Sequence, residues 1–239
     1  MDGSSAEAAA HRYQSLFSDV AGISSRELLE DSLLPSSTPT TSSTRSTIQP
    51  KWRFHGHNVL LVDVRTDSER DVSMISGAVS LDELKTNILE SDSDSALPDM
   101  IVTYCTIGFR SGMEARNLIH EYPTIFAGWE NDDNSAQEEG RTSITKVGNL
   151  DGIIPFANAS TEYERSSNNE QSPHRIPMEP LIIDRKTKTA TNKVHVYGPS
   201  WKMHLSPAYE AITFSRIEFA WRGLMVLSRS CWSFACCQR

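Results

Sequence analysis

The chain has 239 residues, 23 of them Lys or Arg and 31 Asp or Glu, which gives a net charge of −8. At roughly 150 residues per domain, one domain with appendages is expected rather than two full domains. The acidic balance argues against sequence-independent nucleic-acid binding, which needs clustered cations, so no nucleic-acid partner is expected. No uncharged apolar run reaches about 18 residues, so no membrane span is predicted.

The amino end and the cysteines indicate a compartment. The first residues, MDGSS, are acidic and polar and lack the basic-then-apolar order of a secretory signal. Four cysteines, three of them in the last nine residues, cannot form a disulfide framework for a chain this long. We therefore expect an intracellular protein with reduced thiols, cytoplasmic in the first instance, with an organelle as the alternative.

The first quarter of the chain divides into three segments. Residues 1–21 mix Ala, Ser and Glu without a strong pattern, and we interpret them as a flexible lead, disordered or weakly helical. Ser24 and Glu27 have the spacing of a capping box, which predicts a short helix. Residues from about 35 to 57 begin with a run of Ser, Thr and Pro that cannot bury enough surface to order itself, so an insertion is predicted there.

Short apolar runs then alternate with helical patterns. Strands are predicted at 59–64, 77–81, 101–104 and 146–150, and helices at 82–89 and 111–122. The second helix is expected to start at a capping box of Ser111 and Glu114. An acidic, turn-rich stretch at about 128–145 is interpreted as a second insertion. Strands and helices that alternate at this spacing predict an α/β domain with a parallel sheet.

The later part of the chain is harder to interpret. Residues 151–154 are expected to turn into a short helical segment that Pro155 ends. A polar stretch follows until the apolar triplet at 181–183. Residues 202–239 form a tail with a possible helix, apolar and Trp-rich towards its end, and membrane contact through it is the less favoured interpretation.

One segment carries a chemical signal, the sequence C-T-I-G-F-R-S from Cys105 to Ser111. A buried strand delivers Cys105 into a short loop that runs into a helix. Amides in such a loop can converge on an anion, the helix amino terminus adds partial positive charge, and Arg110 adds a full one. Gly108 gives the loop its backbone freedom. These effects favour a thiolate, so Cys105 is predicted to be a nucleophile. The alternative is a cysteine that is only a small buried apolar residue.

Several motifs in order resemble the rhodanese (sulfurtransferase) domain family, single-domain type. They are L-V-D-V-R at 61–65, Glu69, I-S-G-A-V at 75–79, the cysteine loop at 105–112, and N-L-D-G at 149–152. K-V-H-V-Y at 193–197 with Trp201 is similar to the tail of a single-domain subgroup. The resemblance covers about residues 22–201, interrupted by both insertions.

The resemblance implies a three-layer α/β fold with a five-stranded parallel sheet and the cysteine loop at the carboxyl end of a strand. The implied chemistry is transfer of sulfane sulfur through a cysteine persulfide, from a small anionic donor such as thiosulfate to a thiol or cyanide. Cys105 would be the nucleophile. The residues that would bind the anion are Thr106, Ile107, Gly108, Phe109, Arg110 and Ser111.

Asp63 and Arg65 are expected to support the loop from behind, and Arg65 is expected to pair with Glu69. No metal site and no cofactor are predicted. A tyrosine-phosphatase-like activity is the weaker enzyme hypothesis, because such enzymes have five residues between Cys and Arg and this chain has four.

Departures from the family pattern lie away from Cys105. The usual H-I-P-G-A is M-I-S-G-A at 74–78, and Phe156 replaces a Trp. They leave a second hypothesis open, in which a catalytically weak rhodanese fold acts as a protein-binding or regulatory module.

Overall fold

A computed structural model describes residues 4–33, 51–86, 98–128, 145–169 and 180–214. In chain order the elements are α1 (Ser4–Gln14), β1 (Ala21–Ile23), α2 (Ser25–Leu33), β2 (Trp52–Phe54), β3 (His57–Asp63), α3 (Asp67–Val72), β4 (Met74–Ile75), β5 (Val79–Ser80), α4 (Leu81–Leu84), β6 (Met100–Tyr104), α5 (Phe109–Glu121), β7 (Phe126–Ala127), β8 (Thr145–Leu150), α6 (Ile153–Asn169), β9 (Ile182–Ile183), β10 (Lys193–His195), α7 (Pro199–Lys202) and β11 (Glu210–Ile212). No helix in these ranges has the length and apolar character needed to span a bilayer.

The main sheet is mostly parallel. Its parallel strands run in the order β1-β8-β6-β3-β5, as the predicted five-stranded sheet requires. Two short strands extend it: β2 pairs antiparallel with β3 through a hairpin, and β7 pairs parallel with β8. The predicted strands at 59–64, 77–81, 101–104 and 146–150 correspond to β3, β5, β6 and β8, so the fold class is confirmed.

Apolar side chains cover both faces of the sheet. Along β3, Leu60 and Val62 belong to one apolar cluster, while Val59 and Leu61 belong to the other. Helices α4 and α5 contribute to the first cluster, and α2 and α6 to the second. Because successive strand residues point to opposite faces, continuous apolar runs such as 59–62 are what a sheet between two helical layers needs.

The amino-terminal segment is more ordered than the sequence suggested. The helical alternative for residues 1–21 applies, since α1 forms there, but the segment is not a free lead, because Phe17 and Val20 are buried in the cluster with α5. The capping box of α2 is confirmed, with Glu27 N donating to Ser24 Oγ at 3.2 Å and Ser24 N donating to Glu27 Oε2 at 3.4 Å. Burial of two apolar side chains explains the order that composition alone did not predict.

Helix α6 is longer than expected. Pro155 was predicted to end a helix, but it is the third residue of a helix of 17 residues. Proline is tolerated in the first turn because the N–H it lacks would have no intrahelical acceptor there. The stretch after Pro155, interpreted as polar and irregular, is therefore helical up to Asn169. Phe156 is fully buried and packs edge-on to Trp52 at 5.6 Å.

The carboxyl-terminal part forms two small sheets. Strand β9 pairs antiparallel with β4, and β10 pairs parallel with β11. The predicted tail begins at residue 202, but β11 lies inside it and connects it to the segment at 193–195. Residues 34–50 and 129–144, where most of both predicted insertions fall, and residues 215–239, which include the Cys-rich end, lie outside the described residues.

Candidate active site around Cys105

Strand β6 delivers Cys105 to the carboxyl edge of the sheet. All five residues of the strand are buried, and Cys105 follows directly with 1% of its surface exposed. Residues 106–108 form the loop, and α5 begins at Phe109. The nucleophile candidate is therefore held at the bottom of a short loop rather than displayed on the surface.

The start of α5 differs from the prediction. Gly108, with φ of +88°, is the residue before the helix, and no side chain caps it. Ser111 was expected to open the helix in a capping box with Glu114, but it lies inside the first turn. Its hydroxyl is buried and has no hydrogen-bond partner among the described residues. Glycine adopts this left-handed conformation readily, so the chain turns from the loop into the helix at Phe109, two residues before the predicted start at Ser111.

The amides of the loop and of the first helical turn point to anion binding. Among the described residues, the backbone N–H groups of residues 106–111 donate to no acceptor, Cys105 Sγ included. The first N–H group with an intrahelical acceptor is that of Gly112, which donates to Gly108 O at 3.1 Å. Six consecutive donors that follow Cys105 directly in the chain, at the positive end of a helix, can stabilise a negatively charged ligand.

The end of β8 and the start of α6 hold the loop in place. Asn149 Nδ2 donates to Gly108 O at 2.9 Å from a buried position. Ile153 N donates to Cys105 O at 2.9 Å, and Ile154 N to Thr106 O at 3.3 Å. The loop carbonyls are thus used for anchoring, which leaves the N–H groups for a ligand. The N-L-D-G segment is the structural support of the loop.

Gly152 lets two backbones come together at this place. Its φ is +122°, and a Cβ atom there would lie 2.6 Å from Thr106 O and 2.7 Å from Ile107 N. Both neighbours are backbone atoms of the cysteine loop, so a side chain at residue 152 could be accommodated only by moving the loop.

Arg110 forms a bidentate ion pair with Glu69. Its Nη1 donates to Glu69 Oε2 at 2.9 Å and its Nη2 to Oε1 at 2.8 Å. The same Nη2 lies 3.5 Å from Thr106 Oγ1. Burial by itself raises the pKa of Glu69, but the contacts with His195 and Arg110 outweigh burial and hold that pKa far below its usual range. Both groups are therefore charged at every ordinary pH.

Arg65 does not pair with Glu69 as predicted. Its Nη2 donates to Asp63 Oδ2 at 2.7 Å and its Nε to Asp63 Oδ1 at 2.9 Å, with both side chains fully buried. Tyr104 OH donates to Asp63 Oδ2 at 2.7 Å and accepts from Ile75 N at 3.1 Å. The role expected for Asp63, accepting hydrogen bonds behind the loop, is what the geometry shows. This buried network fixes the residue that precedes Cys105.

The position of Glu69 explains why it pairs with Arg110 and not with Arg65. Glu69 is the third residue of α3, where its carboxylate accepts from Thr66 N at 3.0 Å and Thr66 Oγ1 at 2.8 Å. A capping box turns the carboxylate back towards the helix start, and Arg65 precedes the helix, so the four-residue spacing does not place the two side chains on one helical face.

Three aromatic residues near the ion pair were missed by the sequence analysis. His195 is buried, with Nδ1 3.2 Å from Glu69 Oε1, and its ring stacks on Phe214 at 4.3 Å. The Tyr197 ring lies over the Arg110 guanidinium at 4.9 Å, and burial raises the pKa of its hydroxyl above the usual value. The signal was the alternating pattern of K-V-H-V-Y, which puts residues 195 and 197 on the same side of the chain.

The structure brings all the predicted site residues to one edge of the sheet. Thr106 and Ser111 are buried, Ile107 is half-buried, and Phe109 is 38% exposed and contacts the Tyr13 and Phe17 rings of the amino-terminal segment. Phe109 therefore joins the loop to a part of the chain that the sequence analysis assigned no role.

Comparison with known proteins agrees with this arrangement. Residues 51–152 match the model of the rhodanese-like domain family, and this segment includes the cysteine loop, Asp63, Glu69 and Asn149. No curated protein and no solved structure matches the chain. Strand β1, His195 and Tyr197 lie outside the matched segment and still pack against it. Residues 51–152 of the chain are therefore a rhodanese-like domain.

Proposed function

We propose that the protein is a sulfurtransferase that moves sulfane sulfur from a donor such as thiosulfate to a thiophilic acceptor, a thiol or cyanide, through a persulfide on Cys105. The observation that supports this most directly is that the six N–H groups of residues 106–111, which follow the buried Cys105 directly in the chain, have no acceptor among the described residues. The match of residues 51–152 to the rhodanese-like domain family supports the same class of chemistry.

The reaction has two displacement steps. In the first, the Cys105 thiolate attacks the outer sulfur of thiosulfate; a new S–S bond forms, the S–S bond of the donor breaks, and sulfite leaves with its electron pair. In the second, the acceptor attacks the outer sulfur of the persulfide and Cys105 leaves as thiolate. Dividing the transfer in this way replaces one difficult step by two easier ones.

The loop amides would act on the charged sulfur in both steps. Preorganised N–H donors in a site closed to water stabilise negative charge without rearranging during the reaction. Asn149, Ile153 and Ile154 hold the loop carbonyls, so the N–H groups keep their orientation. The Glu69–Arg110 pair would hold the first turn of α5 against α3 and keep the loop in register with the sheet.

A binding or regulatory module is the second candidate function, and one observation favours it. Three large apolar side chains are exposed in this part of the molecule. Phe109 and Met113, one turn apart on α5, have 38% and 40% of their surfaces exposed, and Leu16, next to Phe17 in sequence, has 57%. Exposed apolar residues beside a functional loop are typical of a protein contact.

Intact mass after incubation with thiosulfate separates the two candidates. We expect the wild-type chain to gain one sulfur atom and to lose it again on addition of cyanide. The matched control is Cys105→Ser, which keeps the remaining cysteines and should gain none at the site. Absence of a sulfur adduct on the peptide that contains Cys105, with thiosulfate and with an organic persulfide alike, would refute the sulfurtransferase proposal and leave the binding module.

A further inference from the structure

We infer that Tyr197 and His195, from the carboxyl-terminal part of the chain, are positioning residues for the proposed sulfur transfer. They act through the Glu69–Arg110 ion pair and fix the direction in which Arg110 presents its remaining N–H group at the cysteine loop. The inference rests on the proposed function and adds two residues to its site. Both lie outside residues 51–152, the segment that matches the rhodanese-like domain family.

The Nε–H group of Arg110 is buried and has no acceptor among the described residues. The two terminal nitrogens donate to Glu69, and Nη2 also lies 3.5 Å from Thr106 Oγ1, which places the guanidinium against the loop. Because a guanidinium is planar and rigid, the direction of Nε–H is set once the two terminal nitrogens and the plane of the group are fixed. A ligand at the loop can therefore use this donor only if the surroundings of Arg110 hold that plane.

Tyr197 fixes the plane of the guanidinium. Its half-buried ring lies over the group, 4.9 Å from Arg110 Cζ, while Glu69 holds the edge with the terminal nitrogens. A cation is attracted to an aromatic face, and more strongly where the pair is partly desolvated. Burial raises the pKa of the Tyr197 hydroxyl; the cation of Arg110 lowers it, and the charges of Glu69 and of a Cys105 thiolate raise it. The ring is therefore neutral at physiological pH and lies within electrostatic range of the sulfur.

His195 fixes the carboxylate to which Arg110 is bonded. Its Nδ1 lies 3.2 Å from Glu69 Oε1, the oxygen that accepts from Arg110 Nη2, and its ring stacks on Phe214 at 4.3 Å. Thr66 Oγ1 donates to the other oxygen, Oε2, at 2.8 Å. Each oxygen of Glu69 thus has a contact besides its bond to Arg110, so the carboxylate keeps one orientation and holds the guanidinium edge in place.

The apolar core holds both aromatic residues in place. Val194 and Val196, which alternate with them along the chain, are fully buried in the cluster on one face of the main sheet. Val196 N donates to Ile212 O at 2.9 Å, which connects the segment to β11. Because alternate side chains of an extended segment point to opposite sides, the two valines anchor the segment while His195 and Tyr197 face the ion pair.

The effect on the reaction is one of orientation. A guanidinium that is free to turn directs its Nε–H group correctly for only part of the time, and a misdirected donor stabilises a transition state less. Loss of a partly buried cation–π contact changes such an equilibrium of orientations by about tenfold. The rate of sulfur addition should therefore depend on the Tyr197 ring and much less on its hydroxyl.

The test measures the rate of sulfur addition from thiosulfate to the Cys105 peptide, by mass spectrometry on the full chain. Tyr197→Leu removes the ring and Tyr197→Phe keeps it. Val196→Ala is the matched control, because it truncates the buried neighbour and lowers stability without touching the ion pair. Urea unfolding of each variant allows all rates to be compared on folded protein. We expect the rate to fall about tenfold in Tyr197→Leu and by less than about twofold in the other two variants.

Further variants test the route through the ion pair. Arg110→Lys keeps a cation but has no guanidinium to orient, so adding Tyr197→Leu to it should cause no further loss of rate. His195→Leu removes the contact with Glu69, whereas His195→Asn keeps an N–H donor near the position of Nδ1. We expect His195→Leu to lower the rate more than His195→Asn does.

Tyr197→Met takes the place of Tyr197→Leu if that variant does not fold. A wild-type rate in the variant without the ring, an equal loss in Tyr197→Phe or Val196→Ala, or an undiminished loss in the Arg110→Lys background would overturn the inference while the proposed function stands. Absence of sulfur addition to the wild-type chain would instead remove the proposed function itself.

Discussion

Replacement of Gly152 by Ala tests whether α6 holds the cysteine loop in its working geometry. The added Cβ would lie 2.6 Å from Thr106 O and 2.7 Å from Ile107 N, at a φ of +122°. A non-glycine residue in a sparsely populated backbone region costs about 1–3 kcal/mol, and overpacking costs about another 1–3 kcal/mol. Together the two costs predict that Gly152→Ala reduces the free energy of unfolding by about 2–6 kcal/mol.

The matched control is Gly56→Ala. Gly56 also has a positive φ, +80°, but a Cβ atom there would meet nothing within 4 Å. This variant isolates the backbone effect, about 1–2 kcal/mol for a left-handed non-glycine residue. Urea unfolding gives both free energies, and the rate of sulfur addition to Cys105 should fall by more than about tenfold in Gly152→Ala alone. Equal stability losses in the two variants, with equal rates, would refute the idea that close backbone contact positions the loop.

Two further predictions concern the buried polar groups. Tyr104→Phe removes the hydroxyl that joins Asp63 Oδ2 to Ile75 N. Thermal unfolding should show a free energy of unfolding lower by about 1–3 kcal/mol, because the buried N–H group of Ile75 loses its acceptor. An unchanged melting temperature would contradict the hydrogen-bond network. The pKa of Glu69 is held far below its ordinary value of 4.5, so the folded state binds fewer protons than the unfolded state and stability falls as the pH drops below about 4.5. Glu69→Gln should flatten this acid branch in urea titrations, and an equally steep branch would count against the pair with Arg110.

The parts of the fold that sequence patterns predicted are those in which burial dictates the residues. The run at 59–64 has the pattern of a buried strand because apolar clusters cover both of its faces. Strand β1 was not predicted because it has three residues, too few to show the alternation of apolar and polar residues that identifies a strand. The burial of the amino-terminal segment was not predicted because the contact that orders it, Phe17 against Phe109 at 5.9 Å, is distant in sequence.

Sequence patterns named candidate site residues one by one but did not predict which of them form pairs. Cys105, Arg110, Asp63, Arg65 and Glu69 were all proposed, yet the spacing of the charges suggested the wrong partner for Arg65. Spacing rules describe neighbours on one helix, and here the pairs connect a strand, a helix start and a second helix. Only the arrangement of parallel strands brings such residues together.

The pairing pattern also has a consequence for the order of assembly during translation. Strand β1 is the first strand to be synthesised, but it pairs with β8, which is synthesised much later. In the same way, Glu69 is synthesised long before His195, which lies against it in the folded protein. Contacts between residues so far apart in sequence are closed late. We expect Cys105 in the newly made chain to lack its folded surroundings until most of the described residues have left the ribosome.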